Sequence, residues 1–467
     1  MSAEMVTFVD RAERLVGTHE ARAVDRGMRH MTSAREAAFE ELEIGESLRD
    51  RARAIRLGAL AALDGLIASF ADELTAAGGQ VHFASDAEEA NRIVTRILTE
   101  SDAKSIVKSK SMVSEEIMLN PYLEQRGFDV VETDLGEFIV QLAGDTPSHI
   151  IAPVLHMTRE DVGALFAEKL GVEETHDPAL LNAIARAHLR DEFLRADAGI
   201  SGVNMAIAES GTIVLVTNEG NGRLTTTAPR VHIALMGMER IVPRWEDAAV
   251  ILEVLARSAT GQRLSVYTNV ITGPRRPTDP DGPEEVHVVI IDNGRSEILG
   301  GETAEILACI RCGACLNVCP VFRTVGGHAY GTVYSGPVGS IVTPGLHGMD
   351  PWWELPFAST LCGACEEVCP VRIQIPTMLL GLRHTAAVEG RLPGWLNRGM
   401  GVYARMTAVP SRWRRAKRWA GRLAGLVSAR GWIRRLPGPA RGWTTYRDFP
   451  RPSRQSFSEW WSSNRGS

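Results

Sequence analysis

The chain has 467 residues, 44% hydrophobic and 23% charged, which excludes a disordered or fibrous protein and suits two to four globular domains. Lys and Arg number 51 against 57 Asp and Glu, so the net charge of −6 gives no reason to expect a nucleic-acid binder. All 7 cysteines fall between Cys309 and Cys369, an odd, clustered set that argues against a disulfide-stapled secreted protein and for metal or redox chemistry in a reducing compartment.

The N-terminus, MSAEMVTFVDRAERLV, carries charges where a signal peptide needs an apolar stretch. Nowhere do about eighteen apolar residues run together, so a cytoplasmic protein without a transmembrane segment is expected. Residues 1–77 read as helical: Leu60, Leu63, Ile67, Phe70 and Leu74 form one apolar stripe, ended by Gly78–Gly79. From about residue 80 strands and helices alternate. VHF (81–83), SIVK (105–108), DVVET (129–133), HIIAPV (149–154), NMAIAES (204–210), GTIVLVT (211–217), VHIALMG (231–237) and EVHVVII (285–291) read as strands. Ser85 with Glu88, and Thr158 with Asp161, read as capping boxes that open helices. Apolar strands between helices predict an α/β layer fold with a largely buried sheet. A Pro/Gly/Asp-rich loop, GPRRPTDPDGP (273–283), precedes the last strand.

No G-x-G-x-x-G follows a strand and no G-x-x-x-x-G-K-[ST] occurs, so a dinucleotide site or a P-loop has no support. What remains are polar clusters at strand ends. Lys108-Ser-Lys110-Ser111 precedes a helix expected near Ser114 and would suit a carboxylate or phosphate, or else form a solvated cap. Glu209-Ser-Gly-Thr212 reads as a hairpin turn or a polar site, and Arg223 sits in the next loop. Glu132, Asp134 and Glu137 read as a surface cluster, and His156 as structural. Lys108, Lys110, Glu209 and Arg223 are the candidate substrate-binding residues.

The cysteine region carries the sharpest signal. Cys309-x2-Cys312-x2-Cys315-x3-Cys319-Pro320 is the spacing of a cubane 4Fe-4S site, in which three thiolates converge from a tight loop and the fourth ligates the other cluster. Ser359-x2-Cys362-x2-Cys365-x3-Cys369-Pro370 repeats it with serine in the first position. The expected pairing is Cys309, Cys312, Cys315 and Cys369 on one cluster, and Cys319, Cys362 and Cys365 on the second. Zinc fits this spacing poorly. Ser359 either ligates iron through its oxygen, leaves the corner to water or an outside group, marks a 3Fe-4S cluster, or only caps the loop. His328 and His347 lie between the motifs as alternative ligands. The chain between them, about 325–348, is Gly-rich without periodicity and reads as irregular.

From Arg391 onward there are 17 Lys and Arg against 2 acids, so residues 1–390 carry −21, and 9 of the 10 tryptophans lie after residue 351. This is a separate basic module. Trp419, Leu423 and Leu426 share a helix face among arginines, a surface for an acidic partner, for the protein's own acidic body, or for an anionic membrane.

With these residues in view, the sequence resembles the lactate utilization protein B family. The landmarks are VKSKSMVSEEIMLN (107–120), VVETDLGEFIVQL (130–142), PSHIIAPVLH (147–156), AESGTIVLVTNEGNGR (208–223), both cysteine motifs and YRDFPRPSRQSFSEWW (446–461). The resemblance implies an N-terminal helical segment (1–70) and an isomerase/CoA-transferase-like α/β LUD domain (71–296). A two-cluster ferredoxin-type domain (297–388) and a basic Trp-rich segment (389–467) follow. It further implies two 4Fe-4S clusters, the second 3Fe-4S or open, in a component of an L-lactate dehydrogenase complex producing pyruvate. Its partners would be a cysteine-rich iron–sulfur protein and a small LUD-domain protein, with the electron acceptor unidentified. The competing expectations are that the α/β domain is itself catalytic, or that the protein is a cluster-stabilised scaffold. The expected location is the cytoplasm, with the inner membrane face as an alternative through the basic tail.

Overall fold

The computed structural model describes residues 6–445, 447–453 and 455–465. It divides into two compact units, Met1–Ala386 and Ala387–Ser467. In the first, the alternating region builds a six-stranded parallel sheet. Its strands are β1 (Gln80–Ala84), β2 (Ser105–Lys108), β3 (Asp129–Glu132), β4 (Ala198–Gly202), β7 (Val231–Gly237) and β10 (Glu285–Ile291). They lie in the order β1-β10-β7-β4-β2-β3. The central strands are buried along almost their whole length because helices cover both faces. The strand order reverses between β2 and β4, so the carboxyl end of β2, where Lys108 sits, borders the crevice in which such sheets place ligands.

A second, mixed sheet joins β5 (Met205–Ile207), β6 (Thr212–Thr217), β8 (Ile241–Val242) and β9 (Tyr267–Ile271) in the order β8-β5-β6-β9. The Glu209–Thr212 segment is the turn of its β5–β6 hairpin. Thr158 and Asp161 form the expected capping box. The other cap shifts by one residue: Asp86 caps the helix Ala87–Glu100, while Ser85 binds Glu89.

Three readings are corrected. HIIAPV (149–154) is a bent loop, because His149 Nδ1 accepts the backbone N–H groups of Ile151 and Ala152 and folds the chain back. Residues 336–347 are a helix; it is buried on nearly every side from Gly336 to Pro344, so no amphipathic stripe marks it. The strand β4 (AGISG) escapes notice because it is small-residue chain. Gly199 lies so close to Thr225 that a Cβ would stand 1.9 Å from its carbonyl oxygen.

The N-terminal helices His19–Glu40, Gly45–Ala61 and Leu63–Ala76 are spent on tertiary packing. The first two lie against both the helix Trp245–Thr260 and the cysteine region, and the third covers the mixed sheet. Among the described residues no single helix is long and apolar enough to cross a membrane.

The second unit contains the helices Gly394–Thr407 and Pro410–Val427, a two-stranded ribbon and the helix Phe457–Asn464. Trp419 and Leu423 are exposed on their helix. The side chain of Leu426, and Tyr446 and Arg454 of the tail motif, lie outside the described residues.

Candidate metal centre

The two cysteine loops have the same backbone. Arg311 and Gly313 take left-handed conformations (φ +59° and +75°), and so do their counterparts Leu361 and Gly363 (φ +54° and +86°). Such turns curl a chain tightly enough to bring x2-spaced side chains to one centre. In the first loop the N–H of Arg311 donates to Cys309 Sγ at 3.4 Å. In the second, the N–H of Leu361 donates to Ser359 Oγ at 3.1 Å. The serine oxygen therefore occupies the place that the ligand sulfur holds in the first loop.

Cys309, Cys312, Cys315 and Cys369 line one cavity, closed by Ile150, Val338, Val371, Ile373 and Ile375. Ile373 N–H donates to Cys369 Sγ at 3.4 Å. Burial pushes the Cys369 thiol up to about 11, and those of Cys312 and Cys315 further. Three thiols that resist ionisation, gathered with Cys309 in an apolar shell, are the donor set a cationic metal–sulfur core would stabilise as thiolates. Cys319, Cys362 and Cys365 are electrostatic neighbours at the second loop. There Cys362 is exposed, and the N–H of Ala364 and the Thr360 hydroxyl hold its thiol below the usual value. The residues of both loops fit iron–sulfur clusters.

His328 and His347 are not at these centres. His347 is exposed at the end of its helix. His328 Nε2 donates to the Thr146 carbonyl at 2.8 Å, and its ring packs edge-on to His156. His156 in turn bonds Asp145 and Ser148. These histidines fasten the 144–157 loop to the cysteine region.

Sequence reasoning missed the arginines that grip the cysteine loops. Arg35 donates to the Val368 carbonyl at 2.8 Å and Arg49 to the Cys369 carbonyl at 2.9 Å. Arg56 reaches the carbonyls of Leu307 (3.2 Å) and Ala308 (3.3 Å), and Arg240 that of Cys309 (3.3 Å). All four are buried. The 3–4 spacing of Arg49, Arg53 and Arg56 among small residues was the available signal. A second network centres on the buried Arg295. It binds both oxygens of Glu116 (2.9 and 2.7 Å) and Glu239 (2.7 Å), while Tyr334 donates its hydroxyl to Glu116. The Arg311 guanidinium lies 4.4 Å over the Tyr334 ring. Burial would raise Glu239, but Arg295, Arg240 and Arg311 outweigh it and hold the carboxyl at about 2. The α/β sheet and the first cysteine loop are thus locked together by charge.

The strand-end candidates separate. Lys108 is fully buried, 2.6 Å from Glu132 and 3.0 Å from Glu115. Burial alone would lower it; the two carboxylates keep it above the ordinary lysine value. Its charge is therefore already met. Lys110 is half-buried and donates to the Ile151 carbonyl at 2.7 Å. Nearby, Glu132 and Glu137 are buried, against the expected surface cluster, because Lys108 and the helix start absorb the polar ends. Burial pushes Glu137 up to about 8, opposed by Lys110, and burial with Asp134 pushes Glu219 up to about 7. Glu209 caps the helix Trp245–Thr260 by accepting the Trp245 N–H at 2.7 Å. Arg223 is exposed, and among the described residues neither joins the lysines by a hydrogen bond or ion pair.

The LUD domain model matches residues 67–291 and the 4Fe-4S dicluster domain model residues 305–373. Lactate utilization protein B of Bacillus licheniformis is 46% identical over 95% of this chain and 93% of its own length. The proteins of the same name in Geobacillus kaustophilus (47%, covering 90% and 89%) and Bacillus subtilis (45%, covering 94% and 92%) are similarly close. A solved DUF162 family protein from Deinococcus radiodurans aligns with 49% of this chain and 98% of its own at 15% identity, with a TM-score of 0.28, too low to carry an argument. The LUD and 4Fe-4S domains stand in the expected order, and identity of this size runs along nearly the whole of each relative: the chain belongs to the lactate utilization protein B family.

Proposed function

We propose that this chain is the iron–sulfur electron-transfer subunit of an assembly that oxidises L-lactate to pyruvate and allows growth on lactate. The observation that carries the reading is the cavity lined by Cys309, Cys312, Cys315 and Cys369 beside a second loop of the same backbone. Those four cysteines would hold one 4Fe-4S cluster. Cys319, Cys362 and Cys365 would hold the second, with Ser359 as its fourth ligand or its open corner. When bound, each cluster passes electrons one at a time, which suits a relay for the two electrons released by a hydroxy acid. The chain's own part is to keep water from the first site with aliphatic side chains and to aim N–H groups at the ligand sulfurs. The companions would be a cysteine-rich iron–sulfur protein and a small LUD-domain protein, in the cytoplasm.

The test is oxygen-free purification with iron and sulfide counts and EPR before and after reduction. About eight irons and two interacting reduced signals support the relay. About seven irons with an oxidised 3Fe-4S signal put the labile iron at Ser359. Zinc without iron would overturn the redox reading, and a deletion strain that grows normally on lactate would remove the lactate role.

One observation favours a second reading, in which the α/β domain binds the hydroxy acid. Lys110 and the high-pKa Glu137 stand together beside the sheet's crevice. Lys110→Ala should then abolish lactate turnover with cluster content unchanged; normal turnover would remove it.

A further inference from the structure

The helix His19–Glu40 carries Arg22, Arg26 and Arg29 at helical spacing, all exposed. With Arg323 and Thr324 they line a groove of about 590 Å3, and Val318 and Pro320, the neighbours of Cys319, form its other wall. Arg29 pairs with Asp25 at 2.9 Å. The other guanidiniums meet no carboxylate among the described residues: Arg22 donates to the Gly17 carbonyl, and Arg323 to the Asn317 carbonyl and Thr32 hydroxyl. A stretch of chain that sums to −21 over residues 1–390 therefore presents a concave positive island, beside Cys319, the buried neighbour of Cys362 and Cys365 in the more exposed loop.

We infer that this groove is the docking site for an acidic redox protein, and that electrons cross there by way of the Cys319 side of the second centre. The inference rests on the electron-transfer reading above. Its volume lies within the small-molecule range of about 300–1000 Å3, so charge complementarity, not size, selects the partner. Single exposed arginines add little affinity. Three uncompensated ones in one concavity focus a field that steers and orients an anionic surface. The adjoining Val318–Pro320 segment makes that docked surface adjacent to the cluster ligand.

The experiment uses the full chain with its clusters, oxygen-free, and a fluorescently labelled acidic flavodoxin as the probe. Arg22→Glu/Arg26→Glu should weaken binding at low salt by about ten-fold or more. Arg186→Glu/Arg190→Glu, the same charge change on exposed residues of the helix Pro178–Arg195, should leave it within about two-fold. Equal weakening in both variants, or in neither, overturns the groove. Iron content and circular dichroism confirm that both variants are folded and loaded. In a second arm, dithionite-reduced protein is reoxidised by ferricyanide or by hexaamminecobalt(III). The groove variant should slow the anionic oxidant and speed the cationic one; unchanged rates for both overturn the electron path. Clusters of the unaltered protein that react with neither oxidant would instead sink the electron-transfer reading, leaving the flavodoxin arm to decide the groove alone.

Discussion

The first cysteine loop is sealed and the second lies open, although both run through the same left-handed turns. Around the first, buried arginines hold the backbone carbonyls and aliphatic side chains close the cavity. At the start of the second, Cys362 is exposed and a half-buried arginine, Arg383, donates to the carbonyls of Pro356 and Ser359 at 2.8 Å each; the buried Arg35 and Arg49 hold only its far end, at Val368 and Cys369. Local sequence sets the ligand geometry in both; the remainder of the chain decides which site meets solvent. In the proposed relay the buried loop would hold an inner station and the exposed one an outer station.

Four measurements break or sharpen this contrast. Cys315→Ala should remove about four of eight irons and cost several kcal/mol, because metal binding at a buried site is folding energy. Cys362→Ala should lose similar iron with a much smaller drop in Tm. Equal drops would mean that the two sites are equally structural. Next, Arg49→Ala leaves the Cys369 carbonyl without its buried donor and should cost about 3 kcal/mol by chemical unfolding. Arg383→Ala, on the open loop, should cost about 1 kcal/mol. Ser359→Cys gives the second loop the ligand set of the first, and iron loss to a chelator in air should slow several-fold. An unchanged rate would show that exposure, rather than the missing thiolate, governs lability.

A control lies outside both loops. Glu137 has a folded pKa of about 8, above its unfolded value, so its stabilising contribution is full below about pH 4.5 and is lost as pH rises through 8. Glu137→Gln should match the parent protein near pH 5 and exceed it at pH 8 by at least about 1.4 kcal/mol, the value of one pKa unit. The arginine variants should show no such slope across that range.

The cysteine spacing was legible because the loop is local: eleven consecutive residues, Cys309 to Cys319, specify the turn. The parallel sheet was legible through β7 and β10, whose apolar runs leave little else to be. The HIIAPV run was misread because burial against a cysteine cavity and burial in a sheet give the same apolar string. The helix at 336–347 was hidden for the opposite reason, being apolar all round. The arginine grip was least readable, since its acceptors are backbone carbonyls that any sequence would supply. The lysine pair showed a limit of a different kind. Two positions apart and alike in sequence, Lys108 and Lys110 part because the first ends β2 and is buried among carboxylates, whereas the second lies beyond the strand, at the rim.

The grip also fixes an order of events at birth. Arg49 and its acceptor at Cys369 are 320 positions apart, so the N-terminal helices leave the ribosome long before the carbonyls they seize exist. The cysteine loops emerge later, and the interval before the waiting helices seize them is when iron and sulfide would reach the inner site. Closure of the helices afterwards works as a latch. A chain that latches before it is loaded shuts an empty chamber, so the maturation machinery of the cell has a deadline set by the far end of the polypeptide.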